Sequence, residues 1–514
     1  MYITQGLQRS LLETPDRIAT ICGDRQRTFA ELGDRIARFA GALQGLGVAS
    51  GDRVAILSLN SDRYLEYLFA VPWADAVLNP VNSRWSAQEV AYCLNDSDSR
   101  VLVVDDALSP MVPALREQCG QLQTVIHAGD GPTPDGLLPY EDLLSAATPV
   151  PDVRRGGDSL AGLFYTGGTT GFSKGVMLSH TNLVTSAMGC TATGEFVSSG
   201  GTYLHAAPMF HAADQAGGFG GALVGVTHVI VPGFDPKVVL DAIAVHRVTD
   251  ALLVPTMIQV LVDHPDISQY DLSSWRNLAY GGSAIAQAVL ERTRRALPNV
   301  RLMQAYGMTE LSPVTTLLRF ADHEGARIRS AGRAAPHSEV RILDPDGNEV
   351  PRGTVGEICS YGGHVMLGYW NKPEETAAAI RNGWMHSGDG GYMDEDGFVF
   401  VVDRIKDMIV TGGENVYSAE VEQAVALHPA VASCAVIGVP DPEWGERVHA
   451  VVVLAAGATV TPEELREHCK TLIAGYKAPR SAEFIEALPV NGAGKVLKRD
   501  LRAPHWAGVD RNVG

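Results

Sequence analysis

No C-x-x-C pair occurs anywhere in this 514-residue sequence. Its seven cysteines, at positions 22, 93, 119, 190, 359, 434 and 469, stand singly. An odd, scattered set argues against a disulfide framework or a zinc ribbon and for a reducing compartment, so a cytoplasmic location is expected. No apolar run approaches the ~20 residues of a spanning helix. The first residues, Met1-Tyr-Ile-Thr-Gln-Gly6, lack a basic stretch leading into an apolar one. Neither an integral membrane segment nor a signal peptide is therefore expected. There is no excess of positive charge: the net charge is −18, which excludes sequence-independent binding of nucleic acid. Anionic ligands must be met by local donors. Internal repeats and low-complexity tracts are also missing.

Hydrophobic residues make up 46% and charged residues 19% of the chain, the balance of a globular enzyme. Its length is too great for one core and implies two or more domains. Segments with helical periodicity, such as Phe29–Leu46 and Asp62–Val71, alternate with short apolar runs at Arg53–Leu59, Arg100–Val104, His228–Val231 and Ala251–Val254. That alternation predicts an α/β fold with stacked layers and mostly parallel sheets. Near residue 340 the pattern turns β-rich, with turns at Asp344–Gly347 and Asp394–Gly397. After Asp403 comes a compact α+β pattern. The expected division is a large N-terminal domain, 1–402, and a small C-terminal domain, 403–514.

The most telling stretch is Thr166-Gly-Gly-Thr-Thr-Gly-Phe-Ser-Lys174, directly after the apolar Leu160–Phe164. Gly167 and Gly171 allow backbone N–H groups close to a polyphosphate, Thr169 and Thr170 add hydroxyl donors, and Lys174 neutralises charge. It is not the ordinary P-loop, because Gly175 follows the lysine where that motif needs Ser or Thr. Tyr306-Gly-Met-Thr-Glu310 offers a carboxylate, Glu310, suited to Mg²⁺, beside a donor, Thr309. Tyr280-Gly-Gly-Ser283 is a small-residue break against which a flat ring could lie. Ser387-Gly-Asp389 offers an acid for ribose hydroxyls. Asp403 opens a charged stretch ending in Gly412 and Gly413, and Pro489–Lys495 presents a lysine on a glycine-rich turn. Each of these, taken singly, also serves as a plain turn. Gly156-Gly-Asp-Ser-Leu160 looks like a phosphopantetheine attachment site but reads as a linker and strand start, since the glycine-rich loop begins within a few residues.

All six motifs, in this order and over nearly the whole chain, resemble the adenylate-forming superfamily, and most of all its acyl-CoA synthetase branch. The resemblance implies two half-reactions. Carboxylate and MgATP give an acyl-adenylate and pyrophosphate; the small domain then turns and coenzyme A displaces AMP. By similarity, Thr166, Gly167, Thr169, Thr170, Gly171 and Lys174 would cradle the β- and γ-phosphates. Glu310 would hold Mg²⁺, and Thr309 would contact the α-phosphate. Gly281, Gly282, Ser283, Gln304, Ala305, Tyr306 and Gly307 would flank the adenine, while Asp389 and Arg404 would bind ribose. Lys495 would bridge the α-phosphate and the carboxylate, with Asp403 as hinge. Gly412, Gly413 and Trp444 would border the pantetheine tunnel, and His211 would gate the acyl pocket.

That pocket is expected from Met209, Phe210, His211, Gly217–Gly221, Thr256, Tyr280, Gly307 and Met308. No arginine stands among them for a second carboxylate. A hydrophobic monocarboxylic acid follows. The glycines at 217–221 suggest room for a medium or long aliphatic chain, with an aryl acid also open. Transfer to a carrier protein instead of coenzyme A is the alternative. A homodimer is left open. The glycine-rich loop departs from the family pattern at Gly168 and Ser173, and a glycine at 390 is unusually small for its place.

Overall fold

The computed structural model describes residues 1–166, 173–283, 285–404, 407–412, 414–490 and 496–507, with Arg404 and Asn415 described for their backbone. Of the expected site residues, Gly167, Thr169, Thr170, Gly171, Gly413 and Lys495 lie outside the described residues, as does the side chain of Arg404. Two compact units form. One comprises Met1–Val340 with Ser360–Met385, and the other Arg341–Cys359 with the chain from His386 onward.

The first unit is built on two large sheets. In one, six strands run parallel in the order Ile18–Cys22, Thr227–Ile230, Thr202–His205, Asp250–Leu253, Asn277–Gly281, Arg301–Tyr306, with antiparallel strands at both edges. In the other, the parallel run from Leu138–Pro139 through Thr124–His127, Val101–Val104, Arg53–Leu57 and Val77–Pro80 to Leu160–Thr166 ends in two antiparallel strands, Lys174–Ser179 and Gly368–Tyr369. The expected stacked, mostly parallel α/β layers are present. The predicted helices at 29–46 and 62–71 form as Phe29–Gly45 and Asp62–Trp73.

Helix Asp62–Trp73 is buried at every residue and packs on strands of both sheets. A helix so placed must pair its charges. Asp62 accepts from Arg25 at 2.9 Å and from Arg27, and Glu66 accepts from Arg35 at 2.6 Å. Arg63 reaches Glu141 at 2.9 Å and Asp130 at 2.8 Å. A second helix, Ala212–Val224, is also almost wholly buried although it carries Gly217, Gly218, Gly220 and Gly221. Each glycine costs a helix up to ~1 kcal/mol relative to alanine. Close packing offsets that cost: Tyr203 occupies the place a Cβ of Gly217 would take, His205 lies against Gly218, and Thr191 Oγ1 lies 2.8 Å from a Cβ built at Gly220.

The second unit carries two small sheets. The part of strand Trp384–Met393 from His386 onward pairs antiparallel with Val399–Arg404, with Asp389 opposite Arg404 and a bulge between Gly390 and Gly391. A Cβ on Gly391 would lie 2.6 Å from the Phe400 carbonyl oxygen, so the neighbouring small residues belong to this bulge. Beyond Asp403, the long hairpin Val431–Asp441 and Gly445–Leu454 packs helix Ser418–Ala426 on one face, and strand Ser481–Phe484 joins its edge in parallel.

Candidate active site

Lys174 opens its strand directly opposite Thr166 across an antiparallel pair. The strands on either side of the glycine-rich segment thus pair antiparallel, and Lys174 leads into a strand where a P-loop lysine would open a helix. Gly175 sits beneath the Tyr165 ring, 3.0 Å from its Cζ if given a Cβ, and Tyr165 donates to Asp96 at 2.6 Å. The lysine strand pairs on its other side with Gly368–Tyr369, in the register Val176 to Tyr369.

That register brings three side chains together. Tyr369 donates its hydroxyl to Glu310 Oε1 at 2.8 Å, and Lys174 Nζ stands 4.8 Å from the centre of the same ring. Glu310 is buried, on a short 3₁₀ turn, Thr309–Leu311, tied to the segment before Tyr369 by Met366 N–H donating to its carbonyl at 2.9 Å. Gly307 begins this turn where a Cβ would collide with the Pro313 carbonyl, so only glycine fits. A carboxylate, a phenol and an ammonium group therefore converge beside the start of strand Lys174–Ser179.

The expected adenine strip also comes together. Gly281 pairs with Ala305 and Tyr280 with Gln304 on adjacent parallel strands. Gly281 lies over the Ala305 carbonyl so closely that a Cβ would strike it, and Gly282 has φ +79°. Gln304, Ala305 and Tyr306 are half-buried, and Gly282 and Ser283 exposed. The carboxyl ends of parallel strands are where open α/β sheets receive ligands.

The pocket expectations fare differently. Met209 N–H donates to Asn60 Oδ1 at 2.8 Å and its carbonyl accepts from Gln215 at 3.0 Å, which fixes the Pro208–His211 turn. His211 caps the glycine-bearing helix with its ring 4.2 Å from that of Phe210. Burial, with Arg84 nearby, lowers its pKa to about 4, so the imidazole is neutral at physiological pH. Met308 packs on the core edge and Thr256 is exposed near the start of helix Pro255–Val262. Tyr280 is a correction. Its ring is fully buried among the outer helices' side chains, on the face opposite Ala279 and Tyr203. Its hydroxyl meets His323 Nε2 at 3.0 Å, while His323 Nδ1 faces the Arg319 carbonyl at 2.8 Å. Nδ1 therefore carries the proton, and Nε2 accepts from Tyr280. The room expected at Gly217–Gly221 is a second correction, since Tyr203, His205 and Thr191 fill it.

Beneath those glycines lies a buried polar chain. Asp214 Oδ2 meets His205 Nδ1 at 2.6 Å, and His205 Nε2 meets His228 Nδ1 at 2.9 Å. Asp214 Oδ1, Gln215 Oε1 and the Tyr203 hydroxyl are buried with no hydrogen-bond partner among the described residues.

In the second unit, Asp389 N–H donates to Ser387 Oγ at 3.1 Å, and Ser387 in turn donates to the Ile358 carbonyl at 2.6 Å. Asp403 accepts from Ser418 Oγ at 2.5 Å and from Ala419 N–H at 3.3 Å, so it caps helix Ser418–Ala426 from a distance. Gly412, at φ +61°, lies under Trp444, whose Cε3 would be 2.6 Å from a Cβ. The same indole stacks on Arg480, 4.1 Å from its centre. The freedom of Gly412 thus serves this indole.

A family model described as AMP-binding enzyme matches residues 7–370, and one described as AMP-binding enzyme C-terminal domain matches residues 420–495. The chain belongs to the AMP-binding enzyme family. A feruloyl-CoA synthase of Amycolatopsis sp is 42% identical over 449 residues, covering 87% of this chain and 88% of that protein. A medium/long-chain-fatty-acid–CoA ligase of Mycobacterium tuberculosis is 38% identical, covering 89% and 82%. The crystal structure of the anthranilate CoA ligase AuaEII with anthranoyl-AMP superposes with a TM-score of 0.89 at 27% identity, covering 99% of this chain and 98% of that one.

Within the adenylate-forming enzymes the chain stands in the acyl-CoA synthetase branch, as an AMP-forming acid–thiol ligase that uses ATP and coenzyme A on a carboxylic acid. No helix among the described residues is long and apolar enough to cross a membrane. The sequence reading missed Tyr369 and Asp96. The signal for Tyr369 is faint, one of two adjacent aromatics, Tyr369 and Trp370, after a run of small and apolar residues.

Proposed function

We propose that this ligase activates a planar aryl monocarboxylic acid bearing a ring hydroxyl, of the phenylpropenoid type, and transfers it to coenzyme A. The observation that carries the reading is the filling of the Gly217 and Gly218 faces by Tyr203 and His205. The case for a long aliphatic chain depended on that space. Without it, helix Ala212–Val224 is a closed floor suited to a short, flat acid. The orphaned acceptors Asp214 Oδ1 and Gln215 Oε1 support the hydroxyl, since an unsatisfied buried acceptor costs ~1–3 kcal/mol. The similarity to a feruloyl-CoA synthase points the same way.

In the proposed first step the carboxylate oxygen attacks the α-phosphorus of ATP and pyrophosphate leaves. Such displacement needs positioning and neutralised charge more than covalent help. Lys174 and the donors of the glycine-rich stretch hold the β- and γ-phosphates. Glu310 is the ligand for Mg²⁺, an oxygen donor whose second oxygen is oriented by Tyr369; when bound, the ion neutralises phosphate charge. Thr309 donates to the α-phosphate, and Lys495 supplies the cation shared by α-phosphate and carboxylate. Asp389 and Arg404 hold ribose. In the second step the thiolate of coenzyme A attacks the acyl carbon and AMP leaves, with residues 403–514 turning about Asp403 and the Trp444 surface guiding pantetheine. His211, neutral, positions the acid without exchanging a proton.

The deciding experiment is a carboxylate panel scored by pyrophosphate release, with and without coenzyme A. Ferulate-type acids should exceed octanoate and palmitate in kcat/KM by about tenfold or more, which is ~1.4 kcal/mol of transition-state discrimination. Preference for palmitate would overturn the reading. AMP release that needs a carrier protein rather than coenzyme A would establish the alternative acceptor.

A further inference from the structure

The C-terminal turn lies against one face of the small unit's sheet. Leu501 is buried with Val439 and Val451 on that face, and Trp506 donates its indole N–H to the Gly438 carbonyl at 2.9 Å. His449 stands on the same strand two residues before Val451, and so shares its face. Ser481 pairs with His449 and Glu483 with Val451 on the neighbouring parallel strand. His505 closes the set from the turn, its ring centre 5.0 Å from that of His449.

The ligand atoms of His449, Glu483 and His505 all lie within 4.8 Å of one another. His449 Nε2 is 4.0 Å from Glu483 Oε2 and, though buried, has no hydrogen-bond partner among the described residues. Its other nitrogen, Nδ1, is 2.8 Å from Ser481 Oγ. In the tautomer whose Nδ1–H donates to this hydroxyl, the Nε2 lone pair is bare, the arrangement that orients histidine ligands. We propose that His449, His505 and Glu483 form a binding site for a divalent transition metal of the zinc class. Two imidazoles and one carboxylate with a fourth position open to solvent make a known zinc donor set, with bonds of ~2.0–2.2 Å. Small side-chain rotations bring three atoms within 4.8 Å to that distance from one centre.

Arg447, the nearby cation, leans toward Asp441 at 3.9 Å. Binding would cross-link the C-terminal turn to the sheet and so stiffen the segment that follows Lys495. The site lies wholly within the second unit and does not depend on the identity of the acid.

The test uses the full chain, stripped with chelator and titrated with Co²⁺, then with Zn²⁺ against a chromophoric chelator. One equivalent of Co²⁺ should give visible d–d bands without a thiolate charge-transfer band. Ser481→Ala should weaken zinc about 10- to 100-fold, the usual effect of losing a ligand's orienting partner. His505→Ala, on a half-exposed turn, and His449→Ala should lose more. Absence of the cobalt spectrum, or unchanged affinity in His505→Ala, overturns the proposal. So does a thiolate band, which would place the metal at the separate Glu357, Cys359 and His386 cluster. Should His449→Ala fail to fold, His505→Ala alone decides.

Discussion

Tyr369 donates a hydrogen bond from its hydroxyl to Glu310 at 2.8 Å while its ring carries the Lys174 ammonium on one face. One side chain from a two-residue edge strand thus links a cation and an anion from distant parts of the sequence. Tyr369→Phe keeps the ring and removes the hydrogen bond. Hydrogen bonds to charged groups contribute ~1.5–3 kcal/mol, so half-saturation by Mg·ATP should rise about 10- to 100-fold with folding unchanged. Pyrophosphate release titrated with magnesium measures it; an unaltered titration removes Tyr369 from the proposed nucleotide site.

Lys495→Ala should abolish acyl-adenylate formation and spare thioester formation from supplied acyl-adenylate. The two half-reactions are measured separately by pyrophosphate release and by coenzyme A consumption. Equal loss of both contradicts the role proposed for this lysine.

Gly217→Ala should destabilise by ~1–3 kcal/mol, the range for overpacking, because its methyl group meets the Tyr203 hydroxyl. Tyr203→Leu in the same chain should recover part of the loss, giving a coupling in a double-mutant cycle of chemical unfolding. Additive effects would mean that the two residues do not touch in solution.

Burial lowers His180, with Arg155 nearby, to about 4 and His364, beside His337, to about 3. Both are neutral in the fold and take up protons near pH 6.5 when unfolded. Their contribution is therefore fully present above pH 6.5 and is lost as pH falls toward 4, at ~1.4 kcal/mol per pH unit for each proton taken up. Unfolding midpoints should drop between pH 7.5 and 5. His364→Gln should flatten that dependence, and an identical slope would contradict the assignment.

Asp403 accepts from Ser418 and from the first turn of the helix it precedes, so Ser418→Ala should cost the second unit about 1 kcal/mol, the value of a lost cap. If Asp403 is the hinge, this variant should slow thioester formation more than adenylation, read in the same separated assays.

The strand leading to the glycine-rich stretch and the strand ends at Gly281 and Ala305 were legible in the sequence because apolar runs give way there to small residues. Phe29–Gly45 and Asp62–Trp73 were legible from helical spacing. The facing of Tyr280 was not. Strand Asn277–Gly281 is covered on both faces, so its residues carry no alternation to reveal which side each occupies. The Gly217–Gly221 run was misread for a related reason. Glycine announces that something comes close, but the sequence does not say whether that is a ligand or, as here, Tyr203 from another strand. Tyr369 was silent because its partners lie 59 and 195 positions away, beyond any local pattern.

Helix Ala212–Val224 has little helical preference of its own and is held in shape by the aromatic and imidazole rings wedged into its glycine notches. Warming that loosens those wedges should melt the helix and erase the proposed acid-binding surface in a single event. Heat inactivation would then track tertiary loosening and precede bulk loss of secondary structure.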